Sequence, residues 1–99
     1  MSDSRLTLME AISRQLKVEA QYNGTTIGLA PHLMFERHGD LFVSALNLGK
    51  VWRSDEDARL GQFKLAGLSE AKLLDEKFEP LPDFKPVVPR DGDVLILAI

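Results

Sequence analysis

Leu16-Lys17-Val18-Glu19-Ala20-Gln21-Tyr22-Asn23-Gly24-Thr25-Thr26-Ile27-Gly28-Leu29 is the stretch that decides the fold. Leu16, Val18, Ala20 and Tyr22 alternate with Lys17, Glu19, Gln21 and Asn23, the pattern of a strand with one buried face. Asn23 and Gly24 both tolerate positive φ, so they suit the two-residue loop of a tight hairpin. Thr25 to Leu29 then returns as a second strand.

Upstream the period changes. Leu8, Ile12 and Leu16, with Met9, recur at helical spacing, while Arg5, Glu10, Arg14 and Gln15 lie mostly off that stripe. This predicts a helix from about Ser4 to Gln15, with Ser4 or Asp3 available as its N-cap. Downstream, Pro31 is expected to break the ladder. A second hairpin then pairs His32–Arg37 with Leu41–Leu46 around His38-Gly39-Asp40. Asn47 to Ala58 reads as a polar connection, Arg59 to Leu65 as a strand, Ala66-Gly67 as a bend and Ser69 to Leu74 as a short final barrel strand. One helix plus five or six short strands predicts an α+β, mostly β, small barrel, and no internal repeat is present.

Four of the five prolines fall between Pro80 and Pro89. Such a stretch forms neither a helix nor a central strand; it is a semi-rigid extended arm. Beyond the Asp91-Gly92 turn, Val94-Leu95-Ile96-Leu97-Ala98-Ile99 is continuously apolar. Left uncovered it would be an aggregation template. It must add a strand to its own barrel or to a partner's, and the sequence leaves both open. Residues 1–79 thus make the helix and barrel, and 80–99 an arm and strand that either belong to the same domain or exchange with a partner.

The 99 residues suffice for one modest core. There is no cysteine, hence no disulfide framework, thiol nucleophile or zinc–thiolate site. No apolar run is long enough to span a bilayer and no signal peptide is evident, so a cytoplasmic protein without membrane contact is expected. Net charge is −3, and the acidic excess lies in residues 70–99, with seven acids against four bases. A strong non-specific nucleic-acid binder carries the opposite balance.

Catalytic chemistry finds no support. His32 and His38 do not converge on one metal, and Asp55-Glu56-Asp57 lacks the calcium-loop pattern, so neither a metal nor a cofactor is expected. Leu48-Gly49-Lys50 fails as a phosphate loop because Ser44 stands where the first glycine belongs and Val51 where Ser or Thr belongs. No serine has a base and an orienting acid assigned to it. Pro86-Val87-Val88-Pro89 has the minimal proline-rich ligand core, but Asp91 replaces the expected basic residue. What remains is a binding face. Tyr22, His32, Phe35, Phe42, Trp52 and Phe63, with Arg37, Lys50, Arg53, Arg59 and Lys64, could supply aromatic surface with a cationic rim, which suits bases or an anionic ligand. Trp52 stands out because its neighbours are polar.

Taken in order, several landmarks resemble the WYL domain, a small bacterial ligand-sensing module with an SH3/Sm-like β-barrel. They are Leu8-Met9-Glu10-Ala11-Ile12, Gln21-Tyr22-Asn23-Gly24, Ala30-Pro31-His32-Leu33, Arg37 to Ala45, Gln62-Phe63-Lys64-Leu65 and Leu73 to Pro80. The tripeptide that names the family is here Leu41-Phe42-Val43. The resemblance implies a regulatory domain that senses nucleic acid or nucleotide-like ligands, usually attached to a DNA-binding segment. With the helix starting within a few residues of Met1, a free-standing domain acting in trans on a regulator protein is the expectation. The family's arginine-rich strand corresponds to Gly61-Gln62-Phe63-Lys64-Leu65-Ala66-Gly67-Leu68, with Gly61, Lys64 and Gly67 at its arginine positions. Lysine keeps the charge and loses the planar fork that grips phosphate. Phe42 keeps the ring of the family's tyrosine without its hydroxyl.

Two expectations follow. In the first, Phe42 and Trp52 stack on an anionic ligand, single-stranded nucleic acid or a nucleotide-like molecule, Lys64 and Arg37 supply charge, and His32 a hydrogen bond. In the second, the chain is a self-association module assembling through Val94, Leu95, Ile96, Leu97 and Ile99.

Overall fold

A computed structural model describes residues 4–49, 59–82 and 84–99. Helix α1 (Ser4–Arg14) buries Leu8, Ala11 and Ile12. It stops at Gln15, whose φ of 54° is left-handed. The Gln15 N–H closes the last turn on Ile12 O, and its own carbonyl accepts the Phe78 N–H. The Ser4 hydroxyl donates to Leu68 O, tying the first helical turn to a distant strand.

The strands are β1 (Leu16–Tyr22), β2 (Thr25–Arg37), β3 (Asp40–Asn47), β4 (Gly61–Lys64), β5 (Leu68–Lys77) and β6 (Val94–Ala98). They form one antiparallel sheet of order β4-β3-β2-β1-β5, with β6 paired to β2. Two-residue loops make both hairpins. Asn23 and Gly24 have φ of 53° and 77°, and His38 and Gly39 have 53° and 82°. This double positive φ matches the twist of the flanking strands.

The sheet curls into a small barrel. Flat, its outer strands β4 and β5 would lie about 19 Å apart, at about 4.8 Å per strand spacing. Yet only the single 3-10 turn Leu65–Gly67 joins them, and such a turn advances about 2 Å per residue. The seam is packed by Tyr22 of β1 edge-on to Phe63 of β4, with ring centroids 5.4 Å apart. Gly61 and Gly67 flank this pair. A Cβ at Gly61 would lie 3.1 Å from the Phe63 ring, and one at Gly67 3.2 Å from the Tyr22 ring. Gly61 and Gly67 therefore sit where aromatic rings close the barrel.

Pro31 does not end a strand, as the sequence reading expects. β2 runs unbroken through it for 13 residues. The reason lies in its neighbours. One edge of β2 pairs with β3 along most of its length. The other edge pairs with β1 as far as Leu29 and with β6 from Leu33 onward. Pro31 falls in the gap between these two partners and beside a register shift with β3, where a strand tolerates a residue without an N–H. β4 is shorter than expected and β5 longer, and the terminal strand β6 joins the chain's own sheet.

The sheet has two covered faces. On one, α1 packs Leu8, Ala11 and Ile12 against Val18, Ala20, Leu29, Met34, Val43 and Ala45. The opposite face carries Leu33, Phe35 and Arg37 of β2. Their register partners Ser44, Phe42 and Asp40 of β3 lie beside them, followed by Gln62 and Lys64 of β4. Directly paired residues of neighbouring strands share a face. Leu33 and Phe35 are fully buried yet lie outside the helix-side cluster. Their face is the one that the proline-rich arm approaches.

Candidate ligand-binding site

A cavity of about 460 Å³ lies between this second face and the arm. Leu33, Ser44 and Gln62 line it from the sheet, and Arg59 and Leu60 from the approach to β4. Leu81, Phe84, Lys85, Val87 and Pro89 of the arm also line it. Its wall is largely apolar and includes two cations, Arg59 and Lys85; among the described lining residues there is no carboxylate. Ser44 is 6% exposed, and its hydroxyl has no hydrogen-bond partner among the described residues. A concave, mostly apolar site of this size with a few polar groups is the usual form of a small-molecule site.

Phe42, Lys64 and Arg37 converge next to this cavity. Phe42 stacks on Phe35 at 5.4 Å, with ring planes 8° apart. The Arg37 guanidinium lies 5.0 Å from the Phe35 ring centre and 5.3 Å from that of Phe42. Its Nη1 donates to Gln62 Oε1 in the cavity wall at 3.2 Å. Lys64 lies beside Phe42 in the register and pairs with Asp40 across 3.4 Å, both side chains half exposed.

Arg37 is also committed elsewhere. Its Nε and Nη2 donate to the two carboxylate oxygens of Asp93, each at 2.8 Å. Asp93 in turn accepts the Arg90 N–H. The hydrogen bond to Arg37 holds the Asp93 carboxyl below its usual range and raises the guanidinium further. This pair fastens the end of the arm to β2.

His32 fastens its beginning. The ring is completely buried. Nδ1 lies 2.8 Å from Ala30 O, and Nε2 accepts the Leu81 N–H at 3.1 Å. Because Leu81 N can only donate, Nε2 is the bare nitrogen and Nδ1 carries the proton. The His32 ring also packs against Phe78 and Phe84, each centroid 5.1 Å away. Burial pushes its pKa below the usual value, and the bond to Ala30 partly opposes that.

Of the five residues singled out in the sequence, the structure brings Phe42, Lys64 and Arg37 together. His32 lies at the other end of the same face, and Trp52 lies outside the described residues. Ser44, Gln62, Phe84 and Lys85 were not singled out. The alternation Phe42-x-Ser44 and Gln62-x-Lys64 carries a signal for the first two, but only the strand register turns it into one face. Phe84, the aromatic within the proline-rich stretch, is the trace of the arm's contribution. Among the described residues no group of three His, Cys, Asp or Glu could hold a metal ion, and no helix is long and apolar enough to cross a membrane.

No family model matches the sequence, and no curated protein matches it. Among solved structures, the chain is similar to proteasome accessory factor B/C (PafBC) of Arthrobacter aurescens, with a TM-score of 0.67 and 17% identity. The match covers 83% of this chain and 13% of that one. At this identity the likeness is one of fold.

Proposed function

We propose that this domain is a non-enzymatic, WYL-like sensing module that binds an anionic, nucleotide-like ligand in the cavity beneath its arm. The cavity carries the reading. It combines apolar walls, two cations, a buried serine hydroxyl and no described carboxylate, the complement of a small amphipathic anion. The stacked Phe35–Phe42 rings and Lys64 continue that surface toward solvent, where a base or a nucleic-acid end would stack. The fold likeness to PafBC and the order of sequence landmarks support the WYL-type reading; in that reading the domain acts in the cytoplasm, on a nucleic-acid-linked process or on a regulator protein in trans.

The test is a fluorescence-anisotropy titration of a labelled mononucleotide and a labelled short single strand, at low and physiological salt. The reading expects saturable binding that weakens with salt and is reduced severalfold by Lys64→Glu. Absence of binding to both probes at low salt overturns it.

A second reading, self-association, rests on β6. Val94, Leu95 and Ile96 are 53%, 46% and 39% exposed, on a strand that pairs only with β2 among the described strands. An uncharged apolar edge is what pairing with a second copy requires. Sedimentation of the wild type and Leu95→Lys decides it. A dimer converted to monomer supports the reading; a monomer in both removes it.

A further inference from the structure

We propose that His32 is an acid-labile latch holding the arm over the cavity, so that closure of the binding site is under proton control. The inference rests on the cavity being that site. Leu81 and Phe84, the two arm residues that touch the His32 ring, are also two of the cavity's lining residues. The ring therefore holds one wall of the cavity by a hydrogen bond and an aromatic contact.

The bond to Leu81 works for one protonation state only. Neutral His32, protonated on Nδ1, donates to Ala30 O and accepts from Leu81 N–H, so both nitrogens are matched. A proton on Nε2 turns that acceptor into a donor facing another donor, inside a site sealed by two phenyl rings. Leaving the ring solvated and charged then requires the arm to move away.

Among the described residues, no side chain in contact with the ring carries a charge. Just beyond β5 it meets Phe78, from the arm Leu81 and Phe84, and at the C-terminal end the Ile99 N–H donates to the His32 carbonyl, which places the residue bearing the terminal carboxylate beside His32. The charged residues nearest in sequence to these contacts are Asp83, which lies outside the described residues, and Lys77, Glu79 and Lys85, all exposed. The ring's titration is displaced by burial and by the Ala30 bond, with no charged group among the causes.

The sign follows from linkage. The docked-state pKa lies below the ordinary value of 6.5, so docking is at full strength above pH 6.5. It weakens as pH falls below that value, by up to about tenfold in the docking equilibrium per pH unit, until the docked-state pKa is passed.

The experiment needs no ligand, so its failure would leave the ligand reading standing, and failure of the ligand titration would leave the latch testable. Amide exchange protection of Leu81 and of Ala20 in the central sheet is followed by NMR from pH 8 to pH 5, together with the His32 ring nitrogen shifts. The same series is run on His32→Gln, whose amide oxygen can accept the Leu81 N–H and does not titrate. The expected result is an Nδ1-protonated ring at neutral pH. Leu81 protection should fall severalfold or more below pH 6.5 while Ala20 protection holds, and should be flat in His32→Gln. Three results would overturn the latch: flat Leu81 protection in the wild type, equal loss at Leu81 and Ala20, or the same pH dependence in His32→Gln. If His32→Gln does not fold, a Leu81→Pro chain, lacking the donor, must show arm contacts at Phe84 already loosened at pH 8; intact contacts there count against the latch.

Discussion

Arg37 and Asp93, 56 residues apart, form a two-pronged ion pair with both N–O distances at 2.8 Å. The pair joins the end of β2 to the residue just before β6. The planar guanidinium fork matches the carboxylate, and a lysine ammonium cannot reproduce that match. Asp93→Asn and Arg37→Lys are therefore expected to loosen the last strand first. Hydrogen exchange should show amides of Val94–Ala98 losing protection while those of β1 keep theirs. The Asp93 carboxyl is held below its reference value of 3.8 by the bond to Arg37. Its contribution to stability is thus complete above that pH and lost as pH falls through the depressed value. Acid unfolding curves of Asp93→Asn should lack that part of the wild-type pH dependence.

Phe35 and Phe42 differ in burial and should differ in consequence. Phe35 is fully buried, stacked on Phe42 with the Arg37 guanidinium against its ring, so Phe35→Ala leaves a cavity and should cost about 3–5 kcal/mol in urea unfolding. Phe42, half-buried on the same stack, should cost less on truncation and should disturb ligand binding more.

Lys64 is the cleanest probe of charge. Its pair with Asp40 is half exposed on both sides, and such pairs contribute less than about 1 kcal/mol. Lys64→Glu should leave the unfolding midpoint nearly unchanged, so any loss of oligonucleotide or nucleotide affinity reports on the site and not on the fold.

Much of this architecture is legible in the residues. The alternation of Leu16–Tyr22, the Asn23-Gly24 loop and the helical stripe of Leu8 and Ile12 each follow from local sterics, and each element forms where the sequence places it. Pro31 misleads because its missing N–H matters only if a partner needs it, and β2 changes partners at that point. The site is harder to read. Ser44, Gln62 and Phe84 come together through strand register and through the return of the arm, both long-range. Alternation shows that Phe42 and Ser44 share a face, but not that the arm covers it. His32 illustrates the same limit: the sequence marks it as polar beside a proline, and only the fold supplies Leu81 and Phe84 around it.

The hairpin turns give a test of local strain. Gly24 has φ of 77° with open space around it, so a side chain there meets backbone strain alone. Gly24→Val should cost about 1–2 kcal/mol, whereas Asn23→Gly, at φ 53°, should be close to neutral. Thermal melts of the two variants separate the expectations.

The central claim is that the cavity between the sheet and the arm is the ligand site. The most direct measurement is an NMR titration of the wild type and Ser44→Leu with a mononucleotide, read at every assigned backbone amide. Ser44 is buried in the cavity wall, so a leucine there fills space that a ligand would take. Saturable shifts concentrated at Ser44, Gln62, Phe84 and Lys85 in the wild type, absent in a folded Ser44→Leu, are the predicted result. Shifts scattered over surface lysines and unchanged by Ser44→Leu would contradict the claim.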